Sequence, residues 1–150
     1  FKGPYVVELL DSCIHEKTRT SREALLLMEY YPGDHLLNRL LQRNGQHLPA
    51  DAILRMFGQL CLAVKEMHSS CPPIIHRDLK LENVLFGPDG KPRLCDFGSC
   101  AESPIYVRNI EERQNAEEHI AKETTQMYRA PEMVDLYIRP VLTEKTDIWA

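Results

Sequence analysis

The 150-residue sequence predicts an α+β fold in which short strands accompany one long helix. Short apolar runs bounded by turn residues predict the strands, both near the N-terminus and in the middle of the chain. Apolar side chains that recur with a helical period over residues 50–69 predict the long helix. A hydrophobic content of 43% is enough to build a buried core.

The N-terminal third contains two apolar runs that predict strands. Residues 6–10 form the first, and the polar residues 14–23 that follow predict a loop. Residues 24–29 are consistent with a buried strand, although their leucines alone do not exclude a helix. Residues 36–41 carry apolar side chains at helical spacing and predict a short helix.

The predicted long helix is bounded by prolines. Pro49 stands where a helix tolerates proline, at the first turn, and Pro72 and Pro73 prevent its continuation. Its apolar stripe consists of Ile53, Phe57, Leu60, Val64 and Met67.

The second half of the chain predicts a hairpin and further helical segments. Residues 84–86 and 93–95 flank a Pro-Asp-Gly turn signal at 88–90 and predict two paired strands. The polar residues 109–123 predict an exposed helix, and residues 136–147 lead into the start of another.

Charge and composition exclude several classes of protein. With 18 basic and 22 acidic residues the net charge is −4, which argues against nucleic acid as a partner. No apolar run is long enough to span a membrane, and the N-terminus is not a signal peptide. Five scattered cysteines predict reduced thiols in a cytoplasmic protein, and Cys95 and Cys100 are too few for a zinc site.

The most informative segment is residues 76–83, His-Arg-Asp-Leu-Lys-Leu-Glu-Asn, followed by Asp-Phe-Gly at 96–98. Transfer of a phosphoryl group from ATP requires a positioned acceptor hydroxyl and cations that neutralise developing charge. Asp78 can accept the proton of the acceptor, and Lys80 can reach the transferred phosphate. Asn83 and Asp96 provide oxygen atoms, the ligands that Mg²⁺ prefers.

With Ala-Pro-Glu at 130–132, these motifs resemble those of eukaryotic protein kinases in type, order and spacing. Within that family the chain is most similar to the Numb-associated kinases, the adaptor-associated and cyclin-G-associated kinases. The stretches that carry this similarity are residues 73–83, 94–99 and 124–137.

The resemblance implies a two-lobed fold, of which this chain is expected to contain a part. Residues 1–27 would end the small lobe, residues 28–34 would form the hinge, and residues 35–150 would form the first half of the mainly helical large lobe. The sequence lacks the glycine-rich loop and the strand lysine of the small lobe, so the fragment alone is expected to be inactive. Lys65 imitates that lysine, but it lies on the predicted long helix.

The resemblance also assigns roles at the catalytic centre. Asp78 would be the catalytic base or the carboxylate that orients the acceptor, and Lys80 would stabilise charge on the transferred phosphoryl. Asn83 and Asp96 would hold Mg²⁺. Thr125 would hydrogen-bond Asp78 and Lys80, as in kinases that modify serine and threonine; alternatively, Thr124 or Thr125 is a phosphorylation site.

A second group of residues is implied to bind the nucleotide. Met28 would be the gatekeeper before the hinge, with core packing as the alternative. Glu29 and Tyr31 would offer backbone groups to adenine, and Leu85 would form part of the apolar floor beneath it. His76, Phe97 and Asp147 are expected to hold the frame of the site rather than to take part in chemistry.

Arg77 leads to a hypothesis about regulation. In the family this arginine pairs with a phosphorylated residue about eleven positions before the glutamate of Ala-Pro-Glu, which is Ala121 here. Because alanine has no hydroxyl, activity is not expected to need that phosphorylation. Glu123 or Glu118 could supply the negative charge instead.

The sequence therefore predicts a serine/threonine protein kinase that uses ATP and Mg²⁺ to modify protein hydroxyls. The resemblance extends this to clathrin adaptors and other endocytic proteins as partners, with a location in the cytoplasm or at coated vesicles. The alternative is a pseudokinase or kinase-like interaction module. A small-molecule kinase is disfavoured by Thr125 and by the Ala-Pro-Glu motif, which shape a site for a peptide.

Overall fold

The computed structural model describes residues 3–18 and 20–150, which form a mixed fold of helices and short antiparallel strands. Residues 1, 2 and 19, which fall in the predicted end of the small lobe, lie outside the described residues. The strands are β1 (Leu9–Glu16), β2 (Arg22–Met28), β3 (Ile74–Ile75), β4 (Val84–Phe86), β5 (Pro92–Leu94), β6 (Ala101–Glu102), β7 (Ile105–Tyr106) and β8 (Val141–Leu142). The helices are α1 (Leu36–Leu41), α2 (Ala50–His68), α3 (Ile110–Glu123), α4 (Pro131–Val134) and α5 (Lys145–Trp149).

The N-terminal strands form one antiparallel hairpin, β1–β2, whose register runs from Leu9 opposite Met28 to Glu16 opposite Arg22. The prediction of a loop over residues 14–23 is therefore wrong at both ends. The predicted strand at 6–10 also begins late, because Val6 makes only an isolated bridge to Leu94 before β1 starts. Backbone pairing holds this hairpin together, so it needs no apolar alternation that sequence patterns could reveal.

The strand predicted over residues 24–29 exists, but it is not buried. Leu25, Leu26 and Leu27 are 51%, 59% and 58% exposed, and every residue of β1 and β2 is exposed in this chain. The strand forms through its ladder with β1 rather than through burial of its leucines.

Helix α2 matches the predicted long helix, ending one residue earlier at His68. Its buried side chains, Ala63 and Met67, pack with Val6 and Leu94 in one hydrophobic cluster. The N-terminal end of the predicted stripe is not buried, since Ile53 and Phe57 are 44% and 65% exposed.

A second hydrophobic cluster lies in the C-terminal third, where α3, α4 and β8 meet. Asn109 caps α3 by accepting a hydrogen bond from the Glu112 backbone N–H at 2.8 Å, which fixes the start of the predicted exposed helix. The buried members of this cluster are Val107, Ile120, Ala130, Met133, Leu136 and Leu142.

Hairpin β4–β5 brings the two halves of the site together. It is the predicted hairpin with its second strand shifted by one residue, and Gly90 in its turn has a φ of +73°, which favours glycine. Beyond its open end, the Cys95 N–H donates to the Asn83 carbonyl at 3.0 Å, so the residues before β4 lie beside those after β5. Strands β6, β7 and β8 were not predicted. Within the described residues no helix is both long and apolar enough to cross a membrane.

Candidate active site

The loop between β3 and β4 carries Asp78, and buried backbone contacts fix its shape. Arg77 has a φ of +67°, a left-handed conformation that costs energy for a residue with a side chain. The Asp147 carboxylate accepts the backbone N–H groups of His76 and Arg77 at 2.8 and 2.9 Å. His76 Nδ1 in turn accepts the Asp78 N–H at 3.3 Å. These bonds hold the strained loop in one conformation.

His68 contacts the frame of the site, and the sequence did not predict it. It stands at the end of α2, and its Nε2 lies 2.8 Å from Asp147 Oδ2. The two residues are 79 positions apart, so no local pattern could have revealed the contact. The observed bonds of Asp147 and His76 agree with the expectation that they hold the frame of the site.

The Asp78 side chain is surrounded by donors. Its Oδ1 accepts the Thr125 hydroxyl at 2.7 Å and the Thr125 backbone N–H at 2.9 Å. Its Oδ2 lies 2.7 Å from Lys80 Nζ and 3.1 Å from Asn83 Nδ2. Lys80 Nζ also donates to the Thr125 hydroxyl at 2.9 Å. The structure thus brings together all four residues predicted as catalytic.

These contacts set the charge of the site. Burial alone would raise the pKa of Asp78, but hydrogen bonds from Lys80 and Thr125 outweigh it and hold that pKa below its usual value. The bond to Asp78, helped by the carboxylates of Glu82 and Asp96, raises the pKa of Lys80. Burial lowers the pKa of His76, so its imidazole is neutral near pH 7. Asp78 therefore carries the ionised acceptor oxygens of this cluster. The His76 ring is fully buried and both of its nitrogens bond to the backbone, at Cys95 O and Asp78 N–H, so it is not placed to take a proton from an acceptor hydroxyl.

The lowered pKa of Asp78 predicts a pH effect. Thr125→Val removes one bond to the ionised carboxylate, so the pKa of Asp78 should rise and the acid limb of the kcat/KM profile should move to higher pH. Thr125→Ser keeps a hydroxyl and should leave that limb in place. A pH–rate profile of the three full-length proteins tests this; identical acid limbs for wild type and Thr125→Val would contradict it.

Arg129 is a second residue that the sequence reasoning missed. Its guanidinium donates to the Thr124 hydroxyl at 2.8 Å and to the carbonyls of Ile120, Ala121 and Thr124 at 3.2, 3.3 and 2.9 Å. The three carbonyls lie in the last turn of α3 and just after it, where a cation is favourable. Arg129 therefore fixes the backbone that leads into Thr125. Thr124 is buried and donates to Ile120 O at 2.7 Å, which disfavours the alternative that Thr124 is phosphorylated.

Asn83 and Asp96 have suitable chemistry for the predicted metal site. Both side-chain hydrogen bonds of Asn83 use its amide nitrogen, so within the described residues its amide oxygen stays available. Asp96 is exposed, and its Oδ1 accepts only a long bond of 3.4 Å from the Gly98 N–H. Across residues 3–18 and 20–150 no group of three or more His, Cys, Asp or Glu side chains could hold a metal. One amide and one carboxylate suit Mg²⁺, which usually completes its shell with water and phosphate oxygens.

Three of the four residues predicted to contact adenine line one hollow. Met28, Glu29 and Tyr31 stand on the wall of a space of about 670 Å³ that Phe97 also reaches. The Tyr31 hydroxyl donates to the Glu29 carboxylate at 2.6 Å, and its ring is buried. Leu85 lies on β4 opposite Arg93 and does not line this hollow. Met28 is 48% exposed, so its alternative role in core packing is not seen in this chain.

The comparisons with known proteins agree with this geometry. The protein kinase domain family matches residues 1–150. The chain belongs to this family. The match confirms the predicted kinase-like fold, and the described strands and helices are consistent with part of a two-lobed domain.

Three relatives of this kinase chain illustrate the match. It is 46% identical to a probable serine/threonine-protein kinase of Dictyostelium discoideum, over 99% of the chain and 13% of that protein. It is 40% identical to a serine/threonine-protein kinase of Schizosaccharomyces pombe, over 97% of the chain and 15% of that protein. It is 38% identical to Actin-regulating kinase 1 of Saccharomyces cerevisiae, over 97% of the chain and 23% of that protein. The chain thus spans less than a quarter of each relative.

In the kinase chain, Ser99 connects Arg77 to the end of α3. Arg77 Nε donates to the Ser99 carbonyl, and the Ser99 hydroxyl donates to the Glu123 carbonyl. Neither Glu123 nor Glu118 lies within 4 Å of Arg77 as an ion pair among the described residues, so the expected direct contact is not seen. Burial lowers the pKa of Arg77, and the nearby Glu123 carboxylate partly offsets this effect. The link from Arg77 to α3 is therefore made through Ser99 and the backbone.

This link predicts activity without phosphorylation of the segment from Phe97 to Glu132. Treatment of the full-length protein with a phosphatase should leave its kcat unchanged within about twofold, because Ala121 has no hydroxyl to modify and Arg77 is held by the Ser99 carbonyl. Mass spectrometry would confirm that phosphate has been removed. Loss of activity that returns on rephosphorylation would show that a phosphate is needed after all.

Proposed function

We propose that this chain provides the catalytic site of a serine/threonine protein kinase, which transfers the γ-phosphoryl group of ATP to a protein hydroxyl. The observation that carries the proposal is the buried Asp78 carboxylate, bonded to Lys80, Asn83 and Thr125 at 2.7–3.1 Å. The names of the relatives support the acceptor class, since they are serine/threonine kinases.

Asp78 would act on the acceptor hydroxyl. The acceptor oxygen forms a bond to the γ-phosphorus while the bond to the ADP oxygen breaks, and the acceptor proton passes to the Asp78 carboxylate. Because the pKa of Asp78 is lowered, the carboxylate is ionised and ready to orient that hydroxyl near pH 7. Lys80, only 2.7 Å from Asp78, would balance negative charge that develops on the phosphoryl oxygens.

Asn83 and Asp96 would hold Mg²⁺ through their free oxygens, as their position beside hairpin β4–β5 allows. The ion would supply positive charge that offsets the charge of the ATP phosphates. We further propose that residues 28–34 form the hinge between residues 1–27 of a small lobe and residues 35–150 of a large lobe. Met28, Glu29 and Tyr31, which line one hollow, would then face adenine.

The acceptor class can be tested with three peptides that differ only in one residue. Each carries serine, threonine or tyrosine at the same position, and phosphate transfer from ATP by the full-length protein is measured. The relatives are named serine/threonine kinases and the Thr125 hydroxyl bonds Asp78, so we expect transfer to serine and threonine at least about tenfold faster than to tyrosine. Equal or faster transfer to tyrosine would contradict the proposal.

We also propose membership of the Numb-associated kinases, with clathrin adaptors as substrates and a location in the cytoplasm or at coated vesicles. The support is the similarity of residues 73–83, 94–99 and 124–137 to that family. The test is phosphate transfer to purified clathrin adaptor complexes, with equally concentrated casein as the control substrate. Transfer to the adaptor no faster than to casein would remove this support.

A further inference from the structure

A groove with a basic rim lies between α1, α2 and the turn of hairpin β4–β5. It has a volume of about 440 Å³, which is in the range of sites that bind ligands. Its floor is apolar and includes Leu40, Met56 and Phe86. Its rim carries Arg39, Arg43, Arg55 and Lys91. We call the floor and the rim together the basic groove.

The basic groove is positively charged, although the chain as a whole is negative. The whole sequence has a net charge of −4, whereas the groove is lined by four cationic side chains and, among the described residues, by no carboxylate. Asp51 and Asp89 stand just outside it, where they pair with Arg55 at 2.6 Å and Lys91 at 3.7 Å. These exposed pairs reduce the positive charge of the rim only in part.

The other two cations of the rim are not neutralised by a carboxylate. Arg39 lies 3.9 Å above the Phe86 ring, and its Nε donates to the Asp34 carbonyl. Arg43 donates to the carbonyls of Gln46 and His47 at 3.0 Å each. Within the described ranges 3–18 and 20–150 neither guanidinium lies within 4 Å of a carboxylate. The Asp34 carboxylate is near enough to Arg39 to interact with its charge, but its oxygens accept hydrogen bonds from Asn38 and Gln42. Because neutral groups make their direct contacts, the two guanidinium groups can still attract a ligand.

The groove lies close to the catalytic residues along the chain. Phe86 ends β4, while Asn83 precedes the first residue of the same strand. Three residues of strand span roughly 10 Å, so a polypeptide seated in the groove could reach the catalytic site with a few more residues.

From the apolar floor and the positive charge that remains on the rim we infer that the basic groove docks an acidic segment of a protein partner. Apolar side chains of that segment would insert between α1 and α2. Carboxylates of the segment would face the cations of the rim, which favours association and sets orientation. Apolar side chains would bury the floor and supply most of the affinity. Nucleic acid fits less well, since it offers phosphates but no aliphatic side chains for Met56 and Leu40.

Fluorescence anisotropy with the full-length protein, in the absence of ATP, tests the inference apart from phosphoryl transfer. The probes are fluorescein-labelled seven-residue peptides with two leucines, two to four positions apart, among glutamates. We expect at least one to bind with a Kd below about 100 μM and to weaken as salt rises. The same peptide with serines for leucines should bind at least about tenfold more weakly.

Matched variants locate the binding. Arg55→Glu/Lys91→Glu changes two exposed side chains and should weaken binding about tenfold or more. Ala52→Phe should do the same without a charge change, because its ring would occupy the groove. The control Lys17→Glu/Arg22→Glu changes two similarly exposed and similarly paired cations on β1–β2 and should bind as wild type does.

Several results would overturn the inference. These are no binding of any leucine peptide, equal binding by the Ala52→Phe variant, or equal loss in the Lys17→Glu/Arg22→Glu control. Equal affinity for the serine peptide would show attraction by charge alone. Tighter binding of a single-stranded oligonucleotide would identify nucleic acid as the better ligand and would also reject it.

Discussion

Asp78→Asn should lower kcat of the full-length protein by about 10²–10⁴-fold, the usual contribution of a positioned general base. Asparagine has nearly the same shape, so Thr125 and Lys80 can stay close by, but its amide neither accepts a proton nor carries the charge that pairs with Lys80 at 2.7 Å. Binding of ATP should change little, because Asp78 acts on the acceptor. Steady-state kinetics and ATP titration measure the two effects separately.

Asp89→Asn is the matched control for this experiment. Asp89 is also an aspartate that accepts a backbone N–H, from Lys91 at 3.1 Å, but it lies exposed in the turn between β4 and β5. The kcat of the Asp89→Asn variant should remain within about twofold of the wild-type value, as expected for a surface substitution. If Asp78→Asn retained similar activity, Asp78 could not be the residue that acts on the acceptor hydroxyl.

Asp147→Ala should lower the free energy of unfolding by about 3–5 kcal/mol, the range for breaking a buried charged interaction. Its side chain is fully buried, and it accepts two backbone N–H groups and lies 2.8 Å from His68. Without it, the N–H groups of His76 and Arg77 lose their partners, and the left-handed Arg77 loses the contact that holds it. Urea denaturation of the full-length protein, monitored by circular dichroism, measures the change.

Asp135→Ala provides the comparison for Asp147. Asp135 also accepts two backbone N–H groups, from Tyr137 at 2.9 Å and Ile138 at 3.2 Å, but these bonds are exposed to water. Its loss should cost no more than about 1 kcal/mol, because water can replace the bonds. Equal destabilisation by the two variants would mean that burial of Asp147 is not what makes its contacts important.

The catalytic cluster could be predicted because three of its four side chains lie close together in the sequence. Asp78, Lys80 and Asn83 fall within six positions, and hydrogen bonds of 2.7–3.1 Å now join them. Thr125 was predicted from the family pattern, and its bond to Asp78 spans 47 positions. His68 and Arg129 were missed because their partners are set by the packing of α2 and α3, which has no signature in a short stretch of sequence.

The strands, too, could be predicted only where a short stretch of sequence carries a pattern. Hairpin β4–β5 was predicted because a Pro-Asp-Gly turn separates two apolar runs. Hairpin β1–β2 extends through polar residues such as Ser12 and Glu16, where the backbone ladder alone maintains the strand. Strands β6, β7 and β8 are only two residues long, which is too short for any alternation to appear. Backbone pairing between distant residues is therefore the part of this fold that side-chain patterns did not predict.

The most direct test of the account is phosphate transfer from radiolabelled ATP by the wild-type full-length protein, measured with Mg²⁺ and again with excess EDTA. The account predicts transfer to protein serine and threonine that depends on Mg²⁺ and is lost in Asp78→Asn. ATP binding without any transfer by the wild type would contradict it, and would identify the chain as part of a pseudokinase that uses this domain to bind partners.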